Sequence, residues 1–400
     1  MKKSAGILAA AFLVAGLSSS GFATNGTNLI GVGPTSRAMG GTGIAAPQDA
    51  ISAIFSNPAG LSQISGSQFN FAGTYFIPTV KATVLAPSGG GMPGNWKATS
   101  QDEAYAVPAI GLSNPINDKM NFGIAAYGVT GMGVDYRNKD VTGKMNTKVS
   151  VMKFIPALSC KYGAFSYGAG LDIDYQAADF GSGLAHNYAI GARLGAGYQY
   201  GLWDFGLVYV TPQNVAHERV YDFDMNGTFD TLKLENPAQY GVGASYKGLD
   251  KWILSADIKY VDWANTDGYG KDFDWESQTV YGLGVQNKAI DKVTLRAGWN
   301  YGKNPVKKHA AFNSAGNTNV QGKVMNNFNY EYFRVIGFPA VVENHMTLGV
   351  GYEFSPRFTL NLGYKKAFEK TISETDSSGA INIKSKLSED AYDLGLTFKF

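Results

Sequence analysis

The chain has 400 residues, 16% of them charged and 13% aromatic, with 50 glycines and one cysteine. Its 34 Lys and Arg against 32 Asp and Glu leave no electrostatic basis for binding nucleic acid, and it is too aromatic for disorder. Cys160, the lone cysteine, excludes an internal disulfide and a thiolate metal cage.

Lys2 and Lys3 precede an apolar run from Ala5 to Leu17, and Gly21-Phe22-Ala23 puts small residues where a signal peptidase reads. Residues 1–23 are therefore expected to be a signal peptide, and the run falls short of the roughly 20 residues a spanning helix needs. Without Lys2 and Lys3 the basic count drops from 34 to 32, equal to the 32 acids.

Residues 24–66 are rich in Gly and Ala and lack a regular period. Gly31, Gly33, Pro34, Gly40, Gly41 and Gly43 remove side chains or donors that a sheet needs. One short helix is expected after Pro47, with Asp49 at its positive end, Ile51, Ile54 and Phe55 on one face, and Pro58 as its stop. We expect this segment to be a plug, or hatch, enclosed by the strands of residues 67–400.

From Gln68 onward the pattern has period two. Phe165, Tyr167, Ala169, Leu171, Ile173 and Tyr175 alternate with small or charged residues such as Gly168, Asp172 and Asp174, and Trp252 to Tyr260, Val293 to Tyr301 and Tyr392 to Phe400 repeat the rule. Aromatics at strand ends on one face, with small and charged residues on the other, predict a transmembrane β-barrel over residues 67–400. About 14 antiparallel strands are expected, an even number as such barrels require. Tight turns such as Asn114 to Asp118, Lys161 to Ala164 and Ser355-Pro356 alternate with long connections such as Lys81 to Asp102 and Gly302 to Glu343. That alternation puts both termini on the periplasmic side. Between Met120 and Val129 the apolar parity shifts, which predicts a bulge near Ala125-Ala126 with the kink extending over Tyr127 and Gly128.

Together these residues resemble the FadL family of outer-membrane long-chain fatty acid transporters. The resemblance rests on the signal peptide, the Gly-rich segment ending in Asn57-Pro58-Ala59, Pro115-Ile116-Asn117-Asp118 before the irregular third strand, Arg296 on the strand leading into Asn304-Pro305-Val306, and the terminal Phe400. It implies a barrel in the outer membrane of a Gram-negative bacterium, closed by the hatch, and passive uptake of hydrophobic compounds through lateral exit at a kinked third strand. On that reading Asn57, Pro58 and Ala59 form the gate. Expected ligand contacts are Trp96, Phe333, Ile336 and Phe338 in the long loops and the inward cations Arg193, Lys259 and Arg296. For the cations, a salt-bridge ladder with Asp172, Asp174, Asp204 and Asp257 is the competing reading.

Expected partners are a fatty acid or another apolar ligand such as an aromatic hydrocarbon, outer-membrane lipid, and the barrel assembly machinery through Phe400, with the protein itself a monomer. A structural or adhesive barrel sealed by its plug is the alternative function. No cofactor, metal or enzyme activity is expected. His186, His217, His309 and His345 lack partners at catalytic or ligating spacing. Asp222 to Asp230 resembles half of a calcium loop but has Lys233 where a bidentate Glu is wanted, so calcium and a plain acidic turn both stay open.

Overall fold

The structure, a computed structural model, describes residues 25–89, 92–139, 141 and 144–400. The expected signal peptide lies outside the described residues.

Fourteen long strands obey the alternating pattern: β1 (Gln68–Leu85), β2 (Tyr105–Pro115), β3 (Met120–Asp135), β4 (Asn146–Tyr162), β5 (Phe165–Asp179), β6 (Ala185–Tyr200) and β7 (Trp203–Val210). They continue with β8 (Gln239–Tyr246), β9 (Trp252–Val261), β10 (Gln278–Asn287), β11 (Val293–Gly302), β12 (Asn344–Ser355), β13 (Phe358–Thr375) and β14 (Asn382–Lys399). Each pairs antiparallel with its chain neighbours, and β1 pairs with β14 from Gln68↔Lys399 to Leu85↔Asn382, which closes the barrel. A further short strand, Trp96–Thr99, continues the line of β2 beside β1.

Closure explains the two-fold period. Every wall N–H and C=O can pair with a neighbour, so one face is free to meet lipid. That face is aliphatic at mid-height, with Leu171, Leu207, Leu283 and Leu348 exposed, and aromatic at its ends. Phe358 stacks on Phe398 with centroids 5.1 Å apart at the tight-turn end, and Tyr364 lies 5.2 Å from Tyr392 toward the long-loop end.

The N-terminal segment is buried almost throughout and packs against the inward side chains. It forms α1 (Pro34–Ala38), α2 (Ala50–Ser56) and a 3-10 turn at Pro58–Gln63. Asp49 caps α2 by accepting from Ser52 N–H at 2.7 Å, and the Ser52 hydroxyl accepts from Asp49 N–H at 3.0 Å, a reciprocal capping box. Ile51 and Ile54 then face the apolar cluster that includes Ala125, Tyr127 and Ile155 of the wall.

Polar contacts hold the rest of the segment. Asp257 accepts from Gly43 N–H at 2.9 Å and Ile44 N–H at 3.1 Å, Ala50 N–H reaches Gln68 and Asn70 at 3.0 Å, and Arg37 bonds Asp393 and Thr74. Wall glycines permit this approach, since a Cβ on Gly298 would run into the backbone of Met39 and Gly40.

A Gly298→Val variant tests that contact. The barrel should stay heat-modifiable, because the ladder is untouched, while cells become several-fold more sensitive to vancomycin as the segment is displaced. Wild-type resistance with folded G298V would show that this contact does not hold the segment.

Candidate functional site

The third strand departs from its expected form. Ala125 and Ala126 are regularly paired, with Gly111 and Ile110 on one side and Ile155 and Phe154 on the other. The register shift lies between Gly128 and Thr130, at Val129. The parity change has a different cause from the expected bulge. Ala125, Tyr127 and Val129 point inward and are apolar because α2 covers them, and Phe55 meets the Tyr127 ring edge-on at 5.7 Å.

The irregularity coincides with a break in the wall. The β2–β3 ladder ends at Ala109↔Tyr127, and among the described residues the next backbone bond across this seam runs from Gln101 N–H to the Asp135 carbonyl at 2.9 Å. Pro108, just past the last pair, has no N–H to offer β3. The Val129 carbonyl is taken instead by the N-terminal segment, with Leu29 N–H donating to it at 3.0 Å.

Asn57, Pro58 and Ala59 sit elsewhere. The Asn57 amide donates to the Ile44 carbonyl at 2.8 Å and to the Ala196 carbonyl of β6 at 3.0 Å, while its Oδ1 accepts from Ala59 N–H at 3.0 Å. Cβ atoms on Gly168 and Gly195 would run into Pro58-Ala59 and Asn57 respectively. The tripeptide thus anchors the segment to β5 and β6, away from the seam.

Behind Val129 lies a cavity lined by Asn25, Asn28, Leu29, Phe55, Lys153, Arg193 and Lys259, among others, with a volume of ≈ 50 Å³. That is room for a water or two and far too little for an alkyl chain.

Its three cations differ sharply. Arg193 forks onto Asp172 at 2.9 and 2.8 Å and also donates to the Ile54 carbonyl at 3.0 Å and the Phe55 carbonyl, closing the C-terminal end of α2. Lys153 lies 3.0 Å from Asp174, 3.3 Å from Asp172 and 2.7 Å from the Gln213 amide oxygen. Lys259 has only the Ile30 and Gly41 carbonyls, each at 3.5 Å, and the Phe55 ring at 5.8 Å. Among the described residues no carboxylate lies within ion-pair distance of it. Asp257, two residues away on the same face, gives its Oδ2 to the Gly43 and Ile44 amides, so it attracts Lys259 only through space and not by a direct ion pair.

Arg296 lies apart from this cavity, bonded to the amide oxygens of Gln286 at 2.8 Å and Asn361 at 3.1 Å. Asp204 pairs with Lys247 at 2.5 Å rather than with a lumen cation.

The loop aromatics form one buried core. Phe333 and Ile336 are fully buried; Phe333 packs on Phe180, Tyr221, Phe223, Phe273 and Phe338, and Phe338 also meets Tyr269. Trp96 packs on Tyr136 and Tyr332 with centroids 5.5 and 6.2 Å apart. Above Phe333 an open groove of ≈ 570 Å³ is lined by Met92, Met145, Phe180, Tyr221, Phe328 and Tyr332, with Arg137 and Lys144 at its edge. That volume accommodates a small amphipathic molecule. Sequence reading missed Leu29, Lys144 and Lys153. Of these only Lys153 carried a signal, its inward parity on β4.

Elsewhere in the loops, Asp222, Asp224 and Asp230 bring carboxylate oxygens within 4.8 Å of one another, and Lys323 pairs with Asp230 at 2.7 Å, supplying the positive charge such a turn needs.

A closed barrel with an apolar outer band, a lumen occupied by its own N-terminal segment and an amphipathic groove among its outer loops defines an outer-membrane channel for hydrophobic molecules. The family model described as outer membrane protein transport protein (OMPP1/FadL/TodX) matches residues 10–217, and the chain belongs to that family. Its fold is similar to a Pseudomonas aeruginosa FadL homologue, with a TM-score of 0.69 and 16% identity over 94% of this chain and 100% of that one. It is similar also to the Pseudomonas putida toluene transporter TodX, with a TM-score of 0.66 and 18% identity over 93% of this chain and 99% of the other. The Ralstonia pickettii toluene transporter TbuX matches with a TM-score of 0.63 and 17% identity over 93% and 99% of the two chains. No curated protein matches the sequence significantly.

The lumen charges set one expectation. Asp172→Asn leaves Arg193 and Lys153 short of a buried counter-charge, a loss of about 3–5 kcal/mol, so heat modification should begin at a clearly lower temperature. The double variant D172L/R193M should recover part of that loss, and unaltered unfolding of D172N would show that the pair does not brace the lumen.

In the outer loops, His309 hydrogen-bonds Glu331 at 2.5 Å and Asp274 at 2.8 Å, and the Glu331 bond holds its pKa above the usual 6.5. A raised folded value means the stabilisation is complete below 6.5 and is lost as pH climbs through the raised value. Hydrogen exchange over residues 327–337 should therefore quicken at alkaline pH, after correction for intrinsic exchange. His309→Asn should abolish that pH dependence, and an unchanged profile in H309N would rule out the latch.

Proposed function

We propose that the channel takes up long-chain fatty acids, and that the N-terminal segment acts as a hatch whose displacement opens a lateral exit at the β2–β3 seam. The acyl chain lies first against the apolar side of the groove at Phe333, with its carboxylate toward Lys144 and Arg137. It then passes the aromatic layer of Phe333 and Phe338 into the cavity beside Lys259, and leaves past Leu29 and Val129 into the membrane. Such a path spares an apolar chain from crossing periplasmic water.

Lys259 is the observation that carries a fatty acid over a neutral hydrocarbon. An ammonium that lines an enclosed cavity with no carboxylate within ion-pair distance is costly, and a ligand carboxylate would supply the missing charge through a charge-assisted hydrogen bond. Arg193 and Lys153, already neutralised by Asp172 and Asp174, hold the hatch and the wall in register. The ≈ 50 Å³ cavity requires that the hatch move when ligand arrives. The Leu29 to Val129 hydrogen bond is the contact that motion breaks at the seam.

Uptake of labelled oleate and labelled toluene by a deletion strain carrying each variant tests this, normalised to heat-modifiable protein in the membrane. Lys259→Met should lower oleate uptake by about tenfold, the value of a hydrogen bond to a charged group, and leave toluene unchanged. Deleting Val129, which restores an unbroken register on β3, should stop both. Equal oleate uptake by K259M would remove the carboxylate role, and wild-type uptake by the Val129 deletion would remove the lateral exit.

A further inference from the structure

Strands β1, β13 and β14 are each 18 residues long, well beyond the roughly 9–11 that cross a bilayer. The excess lies on the long-loop side. Tyr75, Tyr392 and Tyr364 form one outward row across the three strands and mark the outer edge of the apolar band. Beyond them the outward face turns basic and hydroxylic.

Register builds this patch from four strands. One row runs Lys97, Thr83, Lys384, Ser373, and the next runs Thr99, Lys81, Lys386, Thr371. Lys81 stands directly opposite Lys386, an arrangement of like charges that destabilises a sheet when nothing compensates it. Glu369 serves both, at 3.9 Å from Lys81 and 3.1 Å from Lys386. Lys97 and Lys384 have no carboxylate within ion-pair distance among the described residues. Neighbouring strands lie about 4.8 Å apart and same-face residues about 6.8 Å apart along a strand, so the four ammonium groups converge on an area the size of a phosphorylated sugar or two. The surplus positive charge and the ring of hydroxyls face outward, away from the lumen.

We propose that this patch binds the phosphorylated glycolipid of the outer leaflet through the phosphates of its sugar core. Height above the membrane selects that ligand. Lys81 is six residues beyond Tyr75, about 20 Å along the strand and about 15 Å above the aromatic row once a strand tilt near 40° is allowed for. Phospholipid head groups and acyl chains end below that level, whereas the anionic sugars of lipopolysaccharide extend through it. The bound glycolipid seals the barrel where β1 meets β14, the first and last strands to be joined.

The test uses the folded full-length barrel purified in mild detergent and titrated with purified lipopolysaccharide, in native and chemically dephosphorylated forms. Binding is read by native mass spectrometry. The wild type should retain and rebind the native glycolipid, and the double charge reversal K384E/K386E should weaken binding by about tenfold or more, as expected for two lysines at an anionic surface. The neutral double variant K384Q/K386Q, the milder change should the reversal impair assembly, should weaken it in the same direction. K119E/K161E, at the opposite end of the barrel, should bind as the wild type does. Equal binding by K384Q/K386Q and wild type, or equal binding of native and dephosphorylated glycolipid, overturns the proposal.

Discussion

A peptide group facing hydrocarbon has no water to bond, so each N–H and C=O in the wall must find a partner on a neighbouring strand. The continuous pairing of β1 with β14 meets that demand by leaving no edge. Side chains are then divided between lipid and lumen by parity alone, and the lumen becomes a closed space that must be filled or flooded. The segment from Asn25 to Gly66 occupies it by offering its own exposed backbone amides to inward Asp, Asn, Gln and Thr side chains, with wall glycines allowing the close approach. A Gly-rich chain that would be a poor strand is well suited to this role, because it presents backbone rather than bulk.

The same constraint gives the β2–β3 seam its meaning. Where the ladder stops at Ala109↔Tyr127, the Val129 carbonyl takes its hydrogen bond from Leu29 N–H of the lumen segment, which couples the two. A movement of the segment is then felt at that seam before it is felt in the fully paired walls. The Asn57-Pro58-Ala59 tripeptide anchors the segment at a separate point, on β5 and β6.

Electrostatics inside the barrel sorts the cations by cross-strand neighbours. Gly170 stands opposite Arg193 and leaves room for its side chain to reach Asp172 one step along the same face, while Lys153 stands opposite Asp174. Lys259 has Gly241 on one side and Val280 on the other. The buried pairs brace the structure, while the cavity-lining Lys259, with no ion pair among the described residues, remains available to an anion.

Parity was legible in the sequence because it repeats every two residues along one strand, and with it came the closed barrel, the alternation of tight turns with long loops and the inward direction of Arg193, Lys259 and Arg296; local chemistry marked the helix near Ile51 but not the one at Pro34–Ala38. Local chemistry also marked residues 24–66 as unable to form a strand. What a strand's own sequence could not reveal is which residue stands beside it, because register joins positions as distant in the chain as Gln68 and Lys399. For that reason the free state of Lys259, the convergence of Lys81 with Lys386 and the break beyond Tyr127 came only from the tertiary structure. The apolar inner face of β3 shows the limit most plainly. Taken alone, Tyr127 and Val129 imply a slipped register at Ala125-Ala126, but Phe55 and α2 pack against them as inward residues of a lumen that has its own core, and the register slips only at Val129.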